Sequence, residues 1–185
     1  MLIGLCGLAR SGKDSFFNVI KENFEGNFHR VAFADALKRE LDDLLIKYTR
    51  ISAFTEKEEE KEIIRPLLVT YGTHVRRKLN ENCWIERVEN NVKHHLKSGK
   101  FVFVTDVRYE NELKWIHQMN GVSIYIETPG NYPTNEEEQI NDPILKFNSR
   151  YRFSWERNAP SLKETPYNIL NFLKTNNIDI NDFKH

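Results

Sequence analysis

The apolar run MLIGLC (Met1 to Cys6) ends at Gly7, and Gly12 and Lys13 follow at Gly-x-x-x-x-Gly-Lys spacing. From Lys13 to Asn23, Phe16, Phe17, Val19 and Ile20 recur at helical intervals. Strand, glycine-spaced turn and helix in that order let backbone N–H groups turn inward, where a helix N-terminus adds partial positive charge. This is the context a phosphate-cradling loop requires. Leu8, Arg10, Ser11, Gly12, Lys13, Asp14 and Ser15 are its candidate contacts, with Lys13 reaching the β- and γ-phosphates of a nucleotide. The position that usually carries Ser or Thr for magnesium holds Asp14, and Ser15 comes one step late. A carboxylate in the first helical turn suits the dipole. The sharper alternative stands Asp14 and Ser15 near a metal.

The rest of the chain alternates between two periods. Strands are expected at His29 to Asp35, Lys100 to Asp106, Val122 to Thr128 and Tyr151 to Glu156. Helices are expected at about Ala36 to Tyr48, from Thr55 onward with Pro66 as a kink or divide, at Trp84 to Ser98, Glu110 to Asn120 and Thr165 to Asn176. From Pro129 to Arg150 the pattern fails among Gly, Pro, Asn and acidic residues, and the segment reads as a loop or short lid. Such alternation implies a single domain over residues 1–185, an α/β fold with a three-layer parallel sheet. Ligands bind such sheets at the C-terminal strand ends. The loop, Asp35, Asp106 and Asn158 should gather there. Asp106, ending an apolar strand, is the candidate to hold magnesium or its water beside Lys13, as in an ATP·Mg²⁺ site.

Several classes are disfavoured. Lys plus Arg and Asp plus Glu both number 27, so no basic balance suggests nucleic-acid binding. The 2 cysteines, Cys6 and Cys83, are too few for a disulfide framework. Neither a signal pattern nor a membrane-length apolar run is present, so a reduced, cytoplasmic setting is expected.

The segment TDVRYENELKWI (Thr105 to Ile116), together with GLARSGKDS, resembles the deoxynucleoside monophosphate kinases of tailed bacteriophages. Those enzymes carry Gly-Lys-Asp in the loop, so Asp14 is a family mark. They also carry an Asp-Val-Arg-aromatic-x-Asn-Glu segment, matched by Asp106, Val107, Arg108, Tyr109, Asn111 and Glu112. FADALK, YGTHVRRKLNENCWIERV and FSWERNAPSLKE are similar as well, placing Phe33, Asp35, Lys38, Gly72, Thr73, Arg77, Trp84 and Asn158. The likeness spans about Leu2 to Leu173. Arg76 departs from it, since the family often has a small residue there, so Arg76 and Arg77 are interchangeable candidates.

The resemblance implies a P-loop nucleoside monophosphate kinase that transfers the ATP γ-phosphoryl group to a dNMP in deoxynucleotide biosynthesis, with Mg²⁺ as cofactor. ATP and the dNMP would be its partners, in the host cytoplasm if phage-encoded. Lys13, Asp14 and Arg108 are the expected catalytic residues, and Asp14, Ser15 and Asp106 the expected metal ligands. Arg108 meets the acceptor phosphate first, then Arg77, with Lys38 a further cation; arginine's planar fork suits phosphate oxygens. Phe33, Tyr71, Trp84 and Tyr109 are candidates to stack on a base, and Glu110, Asn111 and Glu112 to read its edge. Arg150 and Arg152, at the end of the lid, would swing over the ATP phosphates or stack on adenine. Animal phosphomevalonate kinases share the Gly-Lys-Asp loop and are the alternative enzyme; a P-loop switch without kinase turnover is the alternative from another class. The accepted bases, sugar discrimination, lid contacts and dimerisation are left open.

Overall fold

The computed structural model describes residues 1–155 and 165–180. Five strands form one parallel sheet: β1 (Leu2–Cys6), β2 (Phe28–Val31), β3 (Phe101–Val107), β4 (Val122–Glu127) and β5 (Tyr151–Ser154). Their order is β2-β3-β1-β4-β5, so the first strand lies at the centre. Central parallel strands are covered on both faces and need continuous apolar runs, which LIGLC, FVFV and SIYI supply. Ile3 and Leu5 point to one face and join the main core with Phe16, Phe17 and Ile20 of α1 (Lys13–Asn23) and Ile169 and Leu173 of α7 (Thr165–Thr175). Gly4, between them, points the other way. A Cβ there would stand 3.0 Å from Cγ1 of Ile116 on α5 (Glu110–Gln118), so its absence lets that helix lie close. Helix, sheet and helix make the three layers expected from the alternation.

The chain divides into two compact units, Met1–Val31 with Asn91–His185, and Ala32–Asn90. The first holds the sheet. The second is helical: α2 (Phe33–Thr49), α3 (Glu58–Val69), a π-helix over Thr70–Arg77, and the start of α4 (Cys83–Lys97). Leu41, Leu45, Ala53 and Ile64 form its core. Asp42 Oδ1 accepts from Ser52 Oγ at 2.7 Å and Ala53 N–H at 2.8 Å, fixing the turn between α2 and α3. Pro66 lies inside α3 without dividing it, and the widened π turn begins four residues later. Such turns recur at functional sites.

Three expectations need correction. The second strand ends at Val31 rather than Asp35, because Phe33 begins α2: Ala32 is the extended cap, and Phe33, Ala36, Leu41 and Leu45 are buried along one helix. The segment expected as loop from Pro129 to Arg150 contains α6 (Glu136–Asn148). All its breakers but Pro143 lie before residue 134, Asn135 caps the helix by accepting the Glu138 N–H at 2.9 Å, and Leu145 is buried. The acidic run Glu136, Glu137 and Glu138 is its first turn, where the dipole favours it. The helix expected at Thr55 starts at Glu58. Asn158 and Glu156 lie outside the described residues.

Candidate nucleotide site

Between β1 and α1 the backbone takes positive φ at Gly7 (128°), Arg10 (62°) and Gly12 (85°). The glycines are required. A Cβ at Gly7 would meet Ile126 O at 2.2 Å, and one at Gly12 would meet Trp155 Nε1 at 2.3 Å. The loop's outward carbonyls are tied down from the far end of the sheet. Ser11 O accepts from Thr128 Oγ1 at 3.2 Å and Trp155 Nε1 at 3.0 Å, and Ala9 O accepts from Asn131 Nδ2 at 2.8 Å. Within the turn, Ser11 N–H donates to Leu8 O at 3.2 Å and Ala9 N–H to Glu138 Oε1 at 2.9 Å, so an anion would meet the N–H groups at the start of α1, where the dipole adds partial positive charge.

Lys13 is 7% exposed. Its Nζ donates to Gly7 O at 2.7 Å, to Leu8 O at 2.6 Å and to the buried Ser11 hydroxyl at 3.4 Å. Burial, and then the charge of Arg108, push its pKa down to about 8 against the opposing pull of Asp106, Asp14 and Cys6. Lys13, Asp106, Asp14 and Arg108 therefore share one electrostatic neighbourhood. Asp14 is also the partner of Arg30, whose Nε lies 3.2 Å from its Oδ1 in an exposed pair. Leu8 is buried, and Arg10 and Ser15 are exposed.

Arg108 follows β3 directly, and its backbone is locked by Glu112. That buried carboxylate accepts the N–H of Arg108 at 2.7 Å and of Tyr109 at 3.1 Å, capping α5. Glu112 thus holds the strand end from inside, while Glu110 pairs with Lys114 at 2.8 Å. Tyr109, Asn111 and Asp106 are half-buried. The Arg108 side chain is 50% exposed, with Nη1 3.8 Å from Oε1 of Glu138 on α6. Burial raises the Glu138 pKa, but the N–H groups of Thr134 and Ala9, the Thr134 hydroxyl and Arg108 outweigh it and hold the carboxyl below its usual range. Arg150 is exposed with its guanidinium 5.7 Å over the Tyr151 ring, and Arg152 donates to Lys146 O at 2.8 Å. A cavity of about 340 Å³ beside the loop is lined by Leu8, Ser11, Tyr125, Asn131, Asp142 and Lys146.

In the second unit, Glu40 gathers three donors: Tyr71 Oη at 3.0 Å, Arg76 Nη2 at 3.3 Å and Arg87 Nε at 2.7 Å. The Arg76 guanidinium also lies 5.6 Å over the Trp84 ring, whose Nε1 donates to Gly72 O at 3.4 Å. Arg77 donates to Glu81 O at 3.4 Å, so Arg76 is the arginine of the pair that joins the cluster. Lys38 lies over the Phe54 ring at 5.5 Å; Phe33 and Trp84 are buried; Asp35 and Thr73 are half-buried. Sequence reasoning missed Glu40, Arg87, Thr128, Asn131, Glu138 and Trp155. Asn-x-x-Glu at Asn135–Glu138 carried a helix-start signal, but no local pattern marks the others.

Among the described residues no three His, Cys, Asp or Glu side chains gather as a metal cage. Magnesium in phosphoryl-transfer sites needs only one or two protein oxygens, with phosphates supplying others. Asp106, close enough to act on Lys13, and Ser15 in the first turn of α1 fit that need. Asp14 fits less directly, because Arg30 engages it.

Solved structures share this architecture. Shikimate kinase from Aquifex aeolicus is 14% identical over 96% of this chain and 99% of its own, with a TM-score of 0.53. A protein from Thermus thermophilus is 13% identical over 98% of each chain, at 0.54. At these identities the likeness speaks to fold alone. No curated protein matches by sequence. The profile of the deoxynucleotide monophosphate kinase family matches residues 33–149. That span includes the Asp106–Glu112 segment but not the phosphate loop, so the loop is an independent observation pointing the same way. A nucleotide-binding loop on a kinase fold, with most of the remaining sequence carrying that profile, makes this chain a member of the deoxynucleotide monophosphate kinase family.

Proposed function

We propose that the protein transfers the γ-phosphoryl group of ATP to a deoxynucleoside monophosphate, giving ADP and dNDP. The observation that carries this reading is the shared field of Lys13 and Arg108 at neighbouring strand ends, one cation in the loop and one outside it. Phosphoryl transfer asks the protein mainly for positioning and charge stabilisation. The loop from Leu8 to Ser15 holds the ATP phosphates, and Lys13 leaves its loop carbonyls to neutralise charge on the transferred group. Arg108, its backbone fixed by Glu112, takes the acceptor phosphate, with Asp106, Tyr109 and Asn111 beside it. The acceptor is a phosphate dianion at neutral pH, so no strong general base is needed. Asp106, Ser15 and Asp14 would hold Mg²⁺, which would screen the phosphate charge. Within the second unit, Asp35, Lys38, Tyr71, Thr73 and Arg77 keep the nucleotide-binding role that the resemblance implies; buried Phe33 and Trp84 shape that unit from within. Arg150 and Asn158 are assigned to the ATP side. The one domain of this reading is the whole chain, with residues 129–150 as its lid.

No described helix is long and apolar enough to cross a membrane. Two buried, unpaired thiols, Cys6 and Cys83, support a reducing, cytoplasmic setting.

The test is a panel of dNMPs and NMPs with ADP detection, run on wild type, Lys13→Ala and Arg108→Ala. Lys13→Ala is expected to lose at least about 10²-fold in kcat/KM while staying folded. Arg108→Ala is expected to lose about ten- to a hundredfold against dNMP, with KM for ATP little changed. ATP hydrolysis indifferent to every dNMP would replace this reading with a switch. An Arg108→Ala enzyme impaired only toward ATP would reverse the two sites.

A further inference from the structure

The lid segment and the phosphate loop meet at one residue, Ala9. Its N–H donates to Glu138 Oε1 at 2.9 Å, and its carbonyl accepts from Asn131 Nδ2 at 2.8 Å. Both polar groups of this peptide residue are held from more than 120 positions away, by two side chains within one short segment. Glu138 is itself fixed. Its side chain is 10% exposed, and Oε2 accepts both the N–H and the hydroxyl of Thr134 at 3.0 Å each. The carboxylate cannot rotate without breaking contacts at both oxygens. On the same side as Ala9, Oε1 faces Arg108 Nη1 at 3.8 Å. Ala9 also precedes Arg10, whose φ of 62° is a left-handed conformation that a non-glycine residue keeps only when its surroundings hold it.

We propose that Glu138 is a positioning residue for phosphoryl transfer, clamping the loop at Ala9 with Asn131 and orienting the Arg108 guanidinium toward the acceptor. The inference rests on the donor and acceptor roles given above to the loop and Arg108. One carboxylate then sets the distance between two parts of the site: the loop that carries the donor and the cation that receives the acceptor. Its negative charge is the part that orients Arg108, because the guanidinium offers a planar set of donors and turns one edge to Glu138. The edges not turned to Glu138 then face outward, which suits the half-exposed state of that side chain. The hydrogen bond from Ala9 needs only an acceptor oxygen and not a charge, so the two functions of Glu138 separate by substitution.

Glu138→Gln keeps an acceptor for Ala9, leaves the N–H of the exposed Thr134 to water, and removes the ion pair. It is expected to lower kcat/KM for dNMP about three- to tenfold, the modest size reflecting a half-exposed partner. The KM for ATP should stay within about twofold, as should the wild-type melting temperature within about two degrees. In an Arg108→Ala background the same substitution should add nothing further, because its effect runs through that guanidinium. Glu138→Asp, charged but shorter, should fall between Gln and wild type. Glu138→Ala should speed hydrogen exchange at the Ala9 amide, while Glu138→Gln leaves it protected. Full dNMP activity in Glu138→Gln overturns the proposal, and so does a loss that is additive with Arg108→Ala, which marks a merely structural role. Unchanged Ala9 exchange in Glu138→Ala overturns the clamp. A wild-type protein that phosphorylates no dNMP removes the functional reading and Glu138's part in it, and the Ala9 exchange then decides the clamp by itself.

Discussion

Lys13 keeps its charge where burial opposes it, with a pKa held to about 8 beside the positive charge of Arg108. A phosphate ligand beside the ammonium reverses that field and pulls the pKa back up. Binding should therefore take up protons near and above pH 8, and affinity should weaken as pH rises further. The fold responds with the opposite sign. Between the folded value of about 8 and the ordinary 10.5, the unfolded chain binds more protons at this group, so its contribution to stability rises with pH across that window. Calorimetry of ADP binding at pH 8, in buffers of differing ionisation enthalpy, should report net proton uptake by wild type. Lys13→Arg, charged throughout, should report almost none; equal uptake by both would assign the proton elsewhere. Lys13, Gly7 and Gly12 were legible because their spacing is local. Trp155, whose indole N–H donates to Ser11 O beside Gly12, was not, since it stands 144 positions from Ser11 and no periodicity links the two.

At the scale of elements, β2 and α4 meet through stacked imidazoles. The rings of His29 and His95 lie 3.6 Å apart, with His94 5.1 Å from His95. Burial lowers the pKa of both His29 and His95. Each is lowered further by Lys100, His29 also by His95, and His95 also by His94. A histidine depressed below the ordinary 6.5 binds its proton later in the folded chain than in the unfolded one. Stability from this pair is complete above that value and is lost as pH falls below it. Moving from pH 7.5 to 5.5 should lower the melting temperature of wild type more than that of His29→Gln/His95→Gln. Parallel curves would show that the stack is indifferent to charge. His94 and His95 lie in a segment expected only as helix, and the pairing of elements distant in the chain revealed their neighbour. Element boundaries show the same division. The inner strands β1, β3 and β4 were legible from apolar runs, because they are buried on both faces, while β2 and β5 at the edges are only partly buried. The lid helix α6 was not, since Pro133 and Pro143 read as breakers and the acidic residues as loop. Pro133 precedes the helix, and Pro143 is carried inside it.

Across the whole molecule, the two compact units differ in how they exclude water. Ile3, Leu5, Phe103, Val104, Ile124 and Ile126 in the sheet are completely buried. The second unit buries Phe33, Leu41, Leu45, Ile64, Trp84 and Ile85 among others, none of them completely. Regions with fewer buried apolar contacts open at lower free energy. Native-state hydrogen exchange should show β1, β3 and β4 protected to the global limit, and helices within Ala32–Asn90 opening well below it. Equal protection throughout would mean a single cooperative structure. The parallel sheet followed from the alternation of strands and helices, whereas its order around β1 rests on pairings between segments distant in the chain. The division at residues 31/32 and 90/91 had no composition shift to announce it.

The tie between Trp155 and the loop carries a consequence in time. During synthesis Gly12 leaves the ribosome long before the indole that covers it, by an interval on the order of ten seconds for the 144 residues between Ser11 and Trp155. Through that interval the loop has its glycines and its lysine, but lacks the donors that turn its carbonyls outward. The first part of the site to be translated is thus among the last to be finished, and in the nascent chain it is only a flexible turn.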